Sequence, residues 1–436
     1  MRRQLSEQID RRTLRGGVGL RSLLSAVTVL SCLAALQVMA APLEGAQDGD
    51  QLDKPAPPTK IEGPLCPHCK TTGKLPNPFY EKVHDLEENV LYCSYCIEKD
   101  KNGLGLPWLV CKRCRNKALK AKAQVEFDAK AAELKAWLAE RRKIDAKLDV
   151  DEPLLHLQTK HFVWAWSVPG FKAKDKKYYK PHEGLHLYAD RMEKFHSDFQ
   201  RVHKITDADN IHNLHQLFFL ERQRHGTVAC REYAFMPTPN GRASRQGTPS
   251  VYVTWYDRNK RPTDEDFYME LLHNVNHLFT AVYKNSWWLH ECGIAYEGGS
   301  HWWEIYYTKR AGTRCFVESD SESGWVSKKW QAVVKKAVLA GQHPSLAEIL
   351  TIPGTSLKTG LHPFAWSYID FMMHKDPAKV MQFYYVIKLK KHPREAFRNA
   401  FNYSIPAFQA EWEAWVIETY SIQEDSPAIP KRLRFR

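Results

Sequence analysis

Six of the ten cysteines in this 436-residue chain form three C-x-x-C pairs: Cys66/Cys69, Cys93/Cys96 and Cys111/Cys114. No other feature limits the possible folds as much. Two thiolates separated by two residues sit on one tight turn and reach the same ion. Two such turns close a tetrahedral zinc site. Lys70, Gly73, Lys112, Arg113 and Arg115 flank the pairs. Cations beside a thiol favour the thiolate, and glycine permits the turn. Six ligands do not divide into fours. The simplest assignment puts one zinc on two of the pairs. The third pair is then a disulfide, a free dithiol, or half of a second site completed by a histidine such as His84. Three disulfides are the competing expectation, which an exported chain permits. A segment of this size is too short to bury a core alone, so its cross-links act as staples.

The segment resembles the cysteine-rich zinc module of DnaJ-type chaperones, whose repeats read C-x-x-C-x-G-x-G. It has three pairs instead of four and lacks the paired glycines. The resemblance implies a small zinc-ribbon-like module over residues 61–116. Beyond it, Leu119, Ala123, Phe127, Ala131, Leu134 and Leu138 recur at three and four residues. That period predicts a long amphipathic helix over 117–150, linking the module to the aromatic-rich remainder of the chain and ended by Asp151-Glu152-Pro153. Lys112, Arg113, Arg115, Lys117, Lys120 and Lys122 form a basic cluster with no acid among them.

The chain front explains part of its charge. Arginines at 2, 3, 11, 12, 15 and 21 precede an apolar run from Leu23 to Met39, then Ala40-Ala41. This pattern predicts a secretory signal over residues 1–41, removed on export and leaving no stable membrane span. Residues 42–60, with four prolines among polar residues, read as an extended linker. Residues 1–40 hold six arginines and two acids, so their removal takes the net charge from +13 to +9. Export leaves nucleic acid a poor candidate for the basic cluster. A solvated face or an anionic envelope polymer suits it better.

The 14 Trp, 19 Tyr and 19 Phe exclude a disordered chain. Strands are predicted at 162–168 and 250–256, a helix from His186, a loop from Pro237 to Thr248, and mostly helix from 264. A small mixed sheet followed by a mainly helical lobe over 155–425 gives an α+β class. Within that lobe, His273 and His277 are four apart on an apolar helical pattern. They project from one face, about 5–6 Å apart at Cβ, and can share a metal. Glu291 follows His277 by fourteen residues, enough for a turn and a returning helix. Two His and one Glu form a catalytic-type zinc shell with a fourth position open.

The stretch Trp287-Trp288-Leu289-His290-Glu291-Cys292-Gly293-Ile294-Ala295-Tyr296-Glu297 completes a pattern. It resembles the gluzincin metallopeptidases of the peptidase-MA-like type, which read H-E-x-x-H and then W-L-x-E-G-x-A-x-Y. His273, His277 and Glu291 fall on the three ligand positions, while Gly293 and Ala295 lie one place late. His362–Phe371 and Glu411–Trp415 resemble that family's later helices.

One departure dominates: Asn274 occupies the general-base position. The resemblance therefore implies a retained zinc shell with impaired peptidase activity, that is, a pseudopeptidase whose partner is a peptide, protein or envelope polymer. An active zinc hydrolase is the alternative. Glu270, three residues before His273, or Glu297 would then act as base, with His290 and His301 as further candidates. Tyr368 could supply an oxyanion-stabilising hydroxyl, although an aromatic in that run is also a core candidate. A structural scaffold built on the zinc module is the third reading, and two core histidines without metal the simplest.

Overall fold

Phe162–Trp166 and His215–Leu220 are nearly continuous apolar runs, the pattern of strands covered on both faces. In the computed structural model they lie side by side in the middle of a six-stranded mixed sheet. The structure describes residues 66–70, 72–83, 90–173, 177–239, 241–256, 263–285, 289, 291–313 and 330–422. The expected signal and linker, together with His84, Trp287, Trp288 and His290, lie outside these residues.

The strands are β1 (Lys74–Pro76), β2 (Val90–Cys93), β3 (Trp108–Val110), β4 (Leu155–Thr159) and β5 (Phe162–Trp166). They continue with β6 (Phe171–Lys172), β7 (Tyr178–Tyr179), β8 (His215–Leu220), β9 (Ala243–Arg245) and β10 (Ser250–Trp255). The large sheet runs β2-β4-β5-β8-β10-β9. Its β5/β8 and β8/β10 pairs are parallel, and its other pairs are antiparallel. The helices are α1 (Pro78–Val83), α2 (Ser94–Lys99), α3 (Lys117–Leu148), α4 (Pro181–His203), α5 (Gln223–Glu232) and α6 (Asp264–Val282). A π-helical turn (Ile294–Gly298) leads into α7 (Gly299–Thr308). After it come α8 (Trp330–Leu339), α9 (Leu346–Ile349), α10 (His362–Lys375), α11 (Pro377–Lys388), α12 (Pro393–Phe401) and α13 (Ile405–Thr419).

Side chains alternate across the sheet, as the two-residue period of a strand requires. Phe162, Trp164, Trp166, Leu217, Phe219 and Tyr252 enter the larger core with α4 and α6. Ala165, Phe218, Leu220, Val251 and Val253 face the other way, onto α5 and the end of α3. The architecture is thus mixed α/β, with helices from 264 onward building the larger lobe.

Two features differ from the sequence expectations. The stretch 237–248, read as a loop, contains the edge strand β9. The helix read from His186 starts earlier, at Pro181. Proline at the first helical position is preorganised, and Glu183 accepts a hydrogen bond from the Lys180 backbone N–H at 3.0 Å. The earlier start places His182 on the same helix as His186. The cysteine module also joins the main sheet, because β2 pairs with β4. All described residues belong to one compact unit, 63–436. Among them, no helix is long and apolar enough to cross a membrane.

Helix α6 is fixed at both ends. Thr263 caps its start, accepting from Asp266 N–H at 3.1 Å. Arg191 of α4 grips Asp264 at 2.8 and 3.0 Å. At the far end, the buried Lys388 ammonium donates to the carbonyls of Thr280, Ala281 and Tyr283.

Candidate metal centre

On α6, His273 and His277 point into the core, 0% and 1% exposed, with ring centroids 4.9 Å apart. The π-helical turn brings Glu297 over them. Its carboxylate lies 3.3 Å from His273 Nε2 and 4.0 Å from His277 Nε2. The turn can sit this deep because Gly298 lacks a side chain: a Cβ there would meet the Ala365 carbonyl oxygen at 2.6 Å. A single π-helical turn is a frequent device at functional sites.

Neighbouring groups orient the two imidazoles. His273 Nδ1 lies 2.7 Å from Glu304 Oε1, whose other oxygen accepts the Gly312 N–H at 3.0 Å. Tyr296 stacks on His277 at 3.9 Å, and Ser300 Oγ lies 3.3 Å from His277 Nδ1. His301 bridges Glu304 to His362 Nδ1, at 3.3 and 2.9 Å. A carboxylate behind an imidazole fixes its tautomer and leaves Nε2 for a metal.

Burial, reinforced by His273, pulls His277 down to about 3 and keeps its ring neutral. Burial pushes the Glu297 carboxyl up, but His273 and its neighbours hold it below the ordinary carboxylate range. Glu304 behaves alike: burial raises it, and His301 and His273 bring it to about 2. Yet neither Glu297 oxygen has a hydrogen-bond partner among the described residues. A buried anion without donors costs several kcal/mol or more. A cation between Glu297, His273 and His277 would remove that cost. On a tetrahedral zinc, ligand distances of about 2.0 Å put N and O roughly 3.3 Å apart, which matches the His273–Glu297 separation.

The structure moves several expected roles. Glu291 is exposed and lies ahead of the π-helical turn, whereas His273, His277 and Glu297 form the buried group. The carboxylate grouped with His273 and His277 is Glu297, which was expected as a base. Glu270 directs Oε1 to the hydroxyls of Tyr252 and Thr254 in β10, at 2.5 and 3.0 Å. Asn274 is half-buried and donates through Nδ2 to the Glu270 carbonyl at 2.9 Å. Tyr368 is a core residue: it stacks on Trp412 at 4.1 Å and donates to the Pro344 carbonyl. The supporting residues Glu304, Ser300 and His362 were missed. Glu297, His301 and Glu304 recur at four and three residues, a helical stripe visible in the chain.

The cysteines gather into two further clusters. Antiparallel β1 and β3 bring the first and third pairs together. Cys66, Cys69 and Cys111 hold their sulfurs within 4.8 Å of one another, and Cys114 packs in the same cluster. Cys66 Sγ and Cys111 Sγ are 4.0 Å apart. Two thiolates on tetrahedral zinc stand about 3.8 Å apart, and a disulfide needs about 2.05 Å. The backbone N–H groups of Cys69 and His68 lower the Cys66 thiol to about 6. All eight described cysteines are free, so these three pairs do not form disulfides. Cys93 and Cys96 meet His182 and His186 instead of a third cysteine pair.

A fourth group, His161, Glu193 and His196, also has metal-like spacing. Its carboxylate is already satisfied. Glu193 accepts the His161 backbone N–H at 2.9 Å and lies 2.6 Å from its Nδ1. It serves as a buried network at the β4–β5 turn. No family model matches this sequence, and no curated protein matches it.

Proposed function

We propose that this is an exported, gluzincin-like protein that holds zinc on His273, His277 and Glu297 and binds peptides without cleaving them. The observation that carries the reading is the Glu297 carboxylate, buried between two neutral-capable imidazoles with no hydrogen-bond partner among the described residues. Asn274 stands beside them at the position of the base.

A zinc bound there would polarise a carbonyl and acidify its water. The chain's own groups then decide the outcome. Asn274 neither takes up nor releases a proton, and general acid–base help is worth roughly 10²–10⁴-fold. Glu270 does not replace it, being engaged with β10. Glu297 is committed between the imidazoles. Peptide is accordingly held and not hydrolysed. The exposed Lys112, Arg113, Arg115, Lys117 and Lys122 add a face suited to an anionic envelope polymer.

The test is to restore the base. Asn274→Glu in the full chain is expected to give chelator-sensitive cleavage of a peptide library, roughly 10²-fold or more above wild type. Wild-type turnover equal to that of the variant overturns the silent-site reading. A wild-type metal content no higher than that of His273→Ala/His277→Ala overturns the zinc shell.

One observation favours a second reading. Every donor of this centre is at most 1% exposed, which suits a metal that staples the helical lobe. In that case the chain retains no peptide, and chelation loosens the fold.

A further inference from the structure

The Cys93, Cys96, His182 and His186 side chains converge from separate parts of the chain. Cys93 ends β2, and Cys96 lies in α2 directly after it. His182 and His186 occupy the first two turns of α4, four residues apart on one face. All four are buried. His182 Nε2 lies 3.3 Å from Cys93 Sγ and 3.4 Å from Cys96 Sγ. His186 Nε2 lies 3.4 Å from Cys93 Sγ. A tetrahedral zinc with Zn–S of about 2.3 Å and Zn–N of about 2.0 Å sets S and N about 3.5 Å apart. Three sulfur–nitrogen edges of such a tetrahedron are therefore already in place.

We propose that these four residues form a closed Cys₂His₂ structural zinc site that clamps the cysteine module to the large domain. The donor set supports zinc: two thiolates and two neutral imidazoles around a divalent ion leave no net charge in the core. Two sulfurs and two nitrogens in tetrahedral array suit zinc over the harder divalent cations. Four protein donors leave no position open for substrate, so the role is structural. Tyr95 stacks on His182 at 4.1 Å and holds the ring in place. The site shares no residue with the Cys66/Cys69/Cys111 cluster or with the His273 centre, so it stands apart from the peptidase-like reading. It also answers the odd count of cysteine pairs: the middle pair takes its partners from α4.

The clamp has a mechanical consequence. Helix α4 carries Arg191, which grips the start of α6. The same helix thus ties the module at one end and orients the His273/His277 helix further along.

Metal analysis of the full chain tests the site. Wild type is expected to hold one more zinc equivalent than His182→Ala/His186→Ala. Substituted with cobalt(II), wild type should show a two-sulfur, two-nitrogen tetrahedral spectrum beside that of the thiolate-rich cluster. His186→Cys is expected to keep the equivalent and move that spectrum toward three sulfurs, which remains readable if the double variant fails to fold. An unchanged metal count in a folded double variant overturns the site, as does an unchanged cobalt spectrum in His186→Cys. A Cys93–Cys96 disulfide in the natively purified chain overturns it as well.

Discussion

Asp370 shows how a single buried group can set a pH response away from the candidate metal centres. Its carboxylate accepts from Trp302 Nε1 at 2.9 Å and from the Tyr420 hydroxyl at 3.0 Å, at zero exposure. Burial raises this carboxyl to about 7. The folded state therefore holds the Asp370 proton more tightly than the unfolded chain, where the value is about 3.9. The resulting stabilisation is full below about pH 4 and is lost as pH rises through about 7. Asp370→Asn removes this response. From pH 5 to pH 8, urea unfolding should show wild type losing up to about 3 kcal/mol relative to the variant. Equal pH dependence in the two proteins contradicts the assignment. The candidate centre shows a related effect: Glu291 and Glu297 are only six positions apart, yet one is exposed and the other lies between two imidazoles. The intervening π-helical turn decides this.

At the scale of elements, α6 governs the geometry of the candidate centre, and its end is closed by a residue from another helix. Lys388 places one ammonium against three carbonyls where the helix leaves acceptors unpaired. Replacing it by methionine keeps the volume and removes the donors. Lys388→Met is expected to cost about 2–4 kcal/mol, because buried carbonyls left unsatisfied are expensive. Urea unfolding measures this, and a loss below about 1 kcal/mol would mean that other donors replace the ammonium. The α3 helix was legible from its apolar stripe and runs Lys117–Leu148, close to the expected 117–150. The start of α4 was less so. Pro181 and Glu183 supply a start signal five residues ahead of the expected His186.

For the whole molecule, three separate clusters of residues that could hold a metal ion lie within one compact unit. Ligands that converge only in the folded state couple metal binding to folding. A metal-stripped chain should therefore gain stability as zinc is added, by about 4 kcal/mol per site at a thousandfold excess over Kd. Calorimetry of the stripped chain across a zinc series checks this, and a transition temperature independent of zinc would falsify metal binding by the folded form. The C-x-x-C pairs and the His273/His277 pair were legible from local spacing alone, because residues three or four positions apart share a tight turn or a helix face. The alternating aromatics of β5 and the mixed sheet followed by helices were legible for the same reason. Grouping Glu297 with His273 and His277, giving Cys93 and Cys96 the imidazoles of α4, and committing Glu270 to β10 were different decisions. Each depends on how close separate elements pack, and only the buried arrangement of the whole chain sets that.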